Sequence, residues 1–130
     1  MAKPDSCGLG PAFQVIGGKW KALILWRVHQ EPRRFGELKR LIPEISEKML
    51  IQTLREMEAS GLVHREVFHQ VPPRVEYSAT RLGASLDEAL VPLANWGTKY
   101  AKRLEATQER RHVLADTGQL TLACHLLRLV

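Results

Sequence analysis

Between Arg33 and Tyr77 the apolar pattern changes period, and the change strongly limits the fold. Leu38, Leu41 and Ile42 recur at helical steps, and Pro43 stops that run. A second helical pattern covers 46–60, with Leu50, Leu54, Met57 and Gly61 along one seam. Leu62–Phe68 and Val75–Ala79 are then rich in β-forming residues. The loop His69-Gln70-Val71-Pro72-Pro73-Arg74 joins them, and its two prolines remove two N–H donors, so it must leave the ladder. The order helix, turn, helix, hairpin reads as a helix-turn-helix with a β wing. The fold class expected is mainly α with a small antiparallel β-hairpin (α+β).

The helix over 46–60 has the clearest local logic. Ser46 is a good N-cap, and Ile45 and Leu50 stand at the two positions of a hydrophobic staple. Glu47 in the first turn suits the positive end of the helix dipole. Gly61 is placed as the residue after the C-cap, with Leu62 able to touch Met57. Lys48, Gln52, Arg55 and Ala59 trace the line opposite the seam, and Met49, Thr53, Glu56 and Ser60 lie beside it.

Outside this stretch, residues 1–10 read as a flexible arm carrying Cys7. Pro11 suits the first turn of a short helix over Ala12–Ile16, which Gly17-Gly18 ends. Lys19–Gln30 is a helix with Trp20, Leu23, Ile24 and Val28 as its apolar stripe. Leu25 and Trp26 widen that stripe, so both tryptophans are expected in the core. Glu31-Pro32 ends this helix, and Arg33-Arg34-Phe35 is a candidate very short strand. Thr80 caps a long helix expected over 81–106, with a kink or break at Pro92. Its residues Leu86, Leu90, Leu93, Gly97, Tyr100 and Leu104 approach a heptad seam and ask for a partner helix. The domain expected is 11–106, a winged helix-turn-helix with a C-terminal dimerisation helix, followed by an extension over 107–130. Leu120–Leu129 fits both helical and alternating patterns.

The totals exclude several classes. The chain has 130 residues, a formal net charge of +5 and 45% hydrophobic residues, enough for one domain with a real core. Cys7 and Cys124 lie far apart with no CxxC, so neither a disulfide framework nor a zinc motif is indicated. No signal-peptide core or membrane-length apolar run is visible, and a soluble cytoplasmic protein is expected. GxSxG, HExxH, P-loop and paired-carboxylate patterns are all absent, so no enzyme is indicated. The five histidines are scattered without ligand spacing. No cofactor and no metal site are expected.

The chemistry that is present suits nucleic acid. Lys48, Met49, Gln52 and Thr53 stand near the N-terminal half of the second helix. Gln suits adenine, Lys suits guanine, and Met or Thr suits a thymine methyl. Ser46 begins the helix, and Arg55 one turn on suits phosphate. Gln70 and Arg74 on the wing suit the backbone or minor groove, and Arg33 and Arg34 suit flanking phosphates. Against this, Arg33–Tyr77 holds eight Lys/Arg and seven Glu, so the reader is nearly neutral by count. The rival reading is a winged-helix module that binds protein and not DNA.

Seven strings carry a resemblance. They are Ile16-Gly17-Gly18-Lys19-Trp20, Arg34-Phe35-Gly36-Glu37-Leu38, Ile45-Ser46-Glu47-Lys48-Met49-Leu50, Leu54-Arg55-Glu56-Met57-Glu58, Gly61-Leu62-Val63, Val71-Pro72-Pro73-Arg74-Val75-Glu76-Tyr77 and Trp96-Gly97. Their order and spacing over Cys7–Trp96 resemble the HxlR-type winged-helix transcription regulators, relatives of the MarR group. The resemblance implies a bacterial or archaeal homodimer assembled through its first and last helices on double-stranded DNA with an inverted-repeat operator. Some members sense an electrophile or oxidant through a cysteine near the N-terminus. Cys7 falls at that position and is the candidate sensor; the plainer reading has it packed against the dimer.

Overall fold

The computed structural model describes residues 7–116. Six helices and one two-stranded antiparallel hairpin lie among them, in the order α1 (Leu9–Ile16), α2 (Trp20–Gln30), α3 (Phe35–Leu41), α4 (Glu47–Ala59), β1 (Val63–Phe68), β2 (Arg74–Ala79), α5 (Arg81–Lys99) and α6 (Ala101–Asp116). The expected fold class is the observed one. The described chain falls into two compact units, one ending at Val91 and the next starting at Pro92. Cys124 and the Leu120–Leu129 pattern lie outside the described residues.

The first unit is built around α4. Ser46 adopts an extended N-cap conformation, and its hydroxyl accepts a hydrogen bond from the Met49 backbone N–H at 3.1 Å. Ile45 and Leu50 are both buried, as a staple requires. At the other end Gly61 takes φ +77°, open to glycine without strain. There the Gly61 N–H donates to Glu58 O at 3.1 Å and the Leu62 N–H to Met57 O at 2.9 Å, the paired bonds of a Schellman motif. Leu62 and Met57 are both buried in the same core as Ile24, Leu25, Val28, Leu38, Leu50 and Leu54. Helices α2, α3 and α4 thus share one apolar centre with the root of the hairpin.

The hairpin pairs Val63 with Ala79 and runs in register to Phe68 opposite Arg74. Arg33 adds a single bridge to its outer edge, exchanging backbone hydrogen bonds of 2.8 Å with Tyr77. The short strand expected at 33–35 is therefore one residue long, because α3 begins at Phe35. Thr80 fastens the start of α5. Its hydroxyl accepts from the Gly83 N–H at 3.0 Å and donates to the Gly61 carbonyl. A Cβ on Gly83 would meet the Leu62 carbonyl oxygen at 2.1 Å, so only glycine allows α5 this approach.

Three expectations change. The first helix starts at Leu9, earlier than the proline suggested, with Pro11 still in its first turn, where a missing N–H costs nothing. Trp26 is 48% exposed, with the Arg27 guanidinium 4.4 Å over its ring, and only Trp20 packs against the core. At 3.6 residues per turn Trp26 lies opposite the Ile24–Leu25–Val28 face, so the stripe could not include it. The long helix has no break at Pro92, which lies within α5, and the run expected over 81–106 is divided at Tyr100, between α5 and α6. No helix among the described residues is long and apolar enough to cross a membrane.

Candidate nucleic-acid interface

Helix α4 divides cleanly into two faces. Leu50, Leu54 and Met57 are buried, whereas Lys48, Ile51, Gln52 and Arg55 are exposed. With Glu47 and Glu56 these four line a shallow concavity on the surface. Successive residues turn by about 100°, so Lys48, Gln52 and Arg55 fall within one narrow sector opposite the seam. Met49 and Ile51 flank that sector, each 41% exposed. Ile51 is not among the residues expected on this face; its angular position is the signal that places it outside.

Thr53 departs from the expected face. It is only 4% exposed, and its hydroxyl donates to the Met49 carbonyl at 2.6 Å. It sits about 60° from the centre of the seam, too close to the core to reach a ligand. Its hydroxyl is satisfied within the helix, which makes its burial tolerable.

Arg33 is also otherwise engaged. Its side chain is 15% exposed, with Nη1 2.6 Å from Glu31 and 3.7 Å from Glu37. Its Nε donates to Arg27 O, and Nη2 to the Gln30 side chain, both at 3.3 Å. A guanidinium so engaged braces the α2–α3 connection, while the Arg33 backbone makes the bridge to Tyr77. Arg34 beside it stays exposed; its backbone N–H donates to the Glu37 carboxylate at 3.4 Å. On the wing, Gln70 is exposed. Arg74 opens β2 and is half-buried, its guanidinium 4.1 Å over the Phe68 ring. Its Nε lies 3.4 Å from Glu76 Oε1 at an angle that makes an ionic contact but no hydrogen bond. Ser46 is exposed and committed to its capping bond. Cys7 is exposed just before α1, and its carbonyl accepts from the Gly10 N–H at 3.2 Å.

Pairing alters the charge balance of the reader. Of the eight basic residues counted from Arg33 to Tyr77, Arg33 and Arg74 are ion-paired, leaving six. Of the seven acids, Glu37, Glu56 and Glu76 are paired, leaving four. The cation that holds Glu56 is Lys21 of α2, outside the counted stretch, at 3.2 Å. Glu56 also accepts from the Gln52 amide Nε2 at 3.3 Å. The Lys21 ammonium first, and then the Gln52 amide, keep the Glu56 carboxyl below the usual glutamate range. Among the described residues no cluster of His, Cys, Asp and Glu could hold a metal ion.

An α4 with a sealed back and a polar front, preceded by a short helix and followed by a hairpin, is the geometry of a winged helix-turn-helix. The HxlR-like helix-turn-helix family model matches residues 15–105. The chain belongs to this family. Among its relatives, the helix-turn-helix transcriptional regulator YkvN of Bacillus subtilis (strain 168) is 55% identical over 107 residues, 82% of this chain and 91% of that protein. The redox regulator HypR in its reduced form superposes with a TM-score of 0.72 at 42% identity, covering 77% of this chain and 99% of that one. A MarR-family transcriptional regulator from Enterococcus faecalis V583 superposes with a TM-score of 0.69 at 40% identity, covering 82% and 96%. The HxlR-like membership makes the chain a transcriptional regulator of the helix-turn-helix type.

Proposed function

We propose that this regulator binds DNA sequence-specifically as a homodimer, with α4 in the major groove and the wing loop 69–74 on the flanking backbone or minor groove. The observation that carries the proposal is the free polar sector of α4. Lys48, Gln52 and Arg55 are exposed on the second helix of the motif, while the opposite face anchors the core. Gln52 and Lys48 suit base edges, Met49 and Ile51 suit thymine methyls, and Arg55, Arg34 and Gln70 suit the backbone. Arg33 and Thr53 take no part.

Exposed apolar side chains support a second copy. Leu9 and Phe13 share one face of α1, and Leu93, Trp96 and Leu104 are uncovered beyond Pro92. A two-fold pair sets its reading helices about 34–36 Å apart, which matches an inverted-repeat operator. Cys7 supplies an exposed thiol for an electrophile or oxidant, and the likeness to a redox regulator favours that input.

The test is an electrophoretic shift assay on genomic operator fragments with Lys48, Gln52 and Arg55 all changed to alanine. Loss of binding is expected; undiminished binding removes DNA reading from α4 and leaves a protein-binding module. Sedimentation of the untreated protein should give a dimer. A Cys7→Ser protein should lose its response to quinone or hypochlorite, and a retained response excludes Cys7 as the trigger.

A further inference from the structure

Gln52 is held before any ligand arrives. Its Nε2 lies 3.3 Å from Glu56 Oε1, and the other oxygen of that carboxylate lies 3.2 Å from Lys21 Nζ. The chain of contacts therefore runs from α2, outside the helix-turn-helix pair, through an acid on α4, to the amide expected to meet a base. The Lys21 side chain is 15% exposed and that of Glu56 49%, so the inner end of the chain is anchored and the outer end is open to a ligand.

We propose that Lys21 and Glu56 are positioning residues for base selection, setting which way round Gln52 presents its amide. This positioning role presupposes that α4 lies in the major groove, as proposed above. An amide has a donor end and an acceptor end, and rotation by half a turn exchanges them. An ionised carboxylate only accepts, so Glu56 takes one N–H and turns the NH2 toward itself. Gln52 Oε1 has no partner among the described residues, and a second N–H stays available. That pair of groups complements adenine, which offers the N6 donor beside the N7 acceptor. Freed from Glu56, the amide can reverse and offer its donors to thymine O4 or guanine O6, and discrimination falls. Lys21 holds the carboxylate in place and offsets a negative charge that would otherwise face the phosphates.

The experiment selects bound duplexes from a pool with a randomised binding site and reads base frequencies at the position that Gln52→Ala changes. Glu56→Ala should lower discrimination there by about fivefold, the lower end of what one bidentate base contact supplies. Adding Glu56→Ala to Gln52→Ala should change nothing further at that position. Lys21→Ala should act in the same direction, less strongly. Glu56→Gln separates orientation from charge. It removes the same negative charge as alanine but keeps an acceptor, so it should retain more of the preference. Equal behaviour of the two Glu56 variants, or a wild-type preference in Glu56→Ala, overturns positioning and leaves base reading by Gln52 intact. A preference untouched by Gln52→Ala sinks base reading by that residue, and this inference with it.

Discussion

Helix α4 and the Arg33–hairpin edge both carry basic residues that a sequence assigns to DNA, yet they use them differently. On α4 the cations Lys48 and Arg55 have no ion-pair partner among the described residues and project from a helix whose other face is already sealed. At the hairpin edge Arg33 and Arg74 are spent on the fold, one across the α2–α3 connection and one over Phe68. A positive charge becomes available to a ligand only when the surrounding chain does not already satisfy it. Substitutions should therefore act on binding at α4 and on stability at the edge.

The largest expected effects come from crossing α4 from one face to the other. Leu54→Ala or Met57→Ala should cost about 2–5 kcal/mol in urea unfolding, because each leaves a cavity in a fully packed centre. The Lys48/Gln52/Arg55 triple alanine should unfold within about 0.5 kcal/mol of the parent and yet lose DNA. Equal destabilisation by both would erase the division between faces.

Arg33→Ala against Arg55→Ala sharpens the contrast between engaged and free cations. The first should cost about 1–3 kcal/mol, since it removes a largely buried guanidinium and leaves the Arg27 carbonyl and the Gln30 amide without their donor. The second should leave the melting temperature nearly unchanged and reduce the slope of log affinity against log salt by about one. If Arg33→Ala instead lowers the salt slope with no loss of stability, Arg33 touches phosphate after all.

Ser46→Ala should cost about 1 kcal/mol through the lost cap. Differential calorimetry of that variant, at unchanged salt slope, would assign Ser46 to the helix and not to the ligand.

The smallest effect is a titration. The Glu56 carboxyl should titrate below the ordinary glutamate value of 4.5 by carbon-detected magnetic resonance, and Lys21→Ala should bring it back up. The sign follows from linkage. A depressed folded-state value means that the Lys21 contact contributes above the ordinary glutamate range and fades as pH falls through the lowered value. An unshifted Glu56 midpoint would leave Lys21 and Glu56 uncoupled.

Much of this architecture was legible in the linear chain. Ser46, Ile45, Leu50 and Gly61 mark both ends of α4 because capping, stapling and the left-handed turn are local events within a few residues. The hairpin was equally visible, since strand-rich runs on either side of a double proline leave few alternatives. Trp26, Thr53 and Arg33 lie in surroundings that the linear pattern did not indicate, for one common reason. Their fate follows from helix angle and from pairing, and not from residue type. Trp26 is apolar but its angle on α2 exposes it; Thr53 is polar but its angle on α4 buries it; Arg33 is basic but is paired with the nearby Glu31 and Glu37.

By itself, then, the order of residues decided both ends of α4, the place of the hairpin, and which seam of α4 turns inward. Those outcomes depend on backbone hydrogen bonds and apolar spacing within one or two turns. Only the packed structure decided which charges stay free, because an ion pair such as Lys21–Glu56 joins residues far apart in the chain. Such pairs form when two helices are brought side by side by a core that neither residue belongs to.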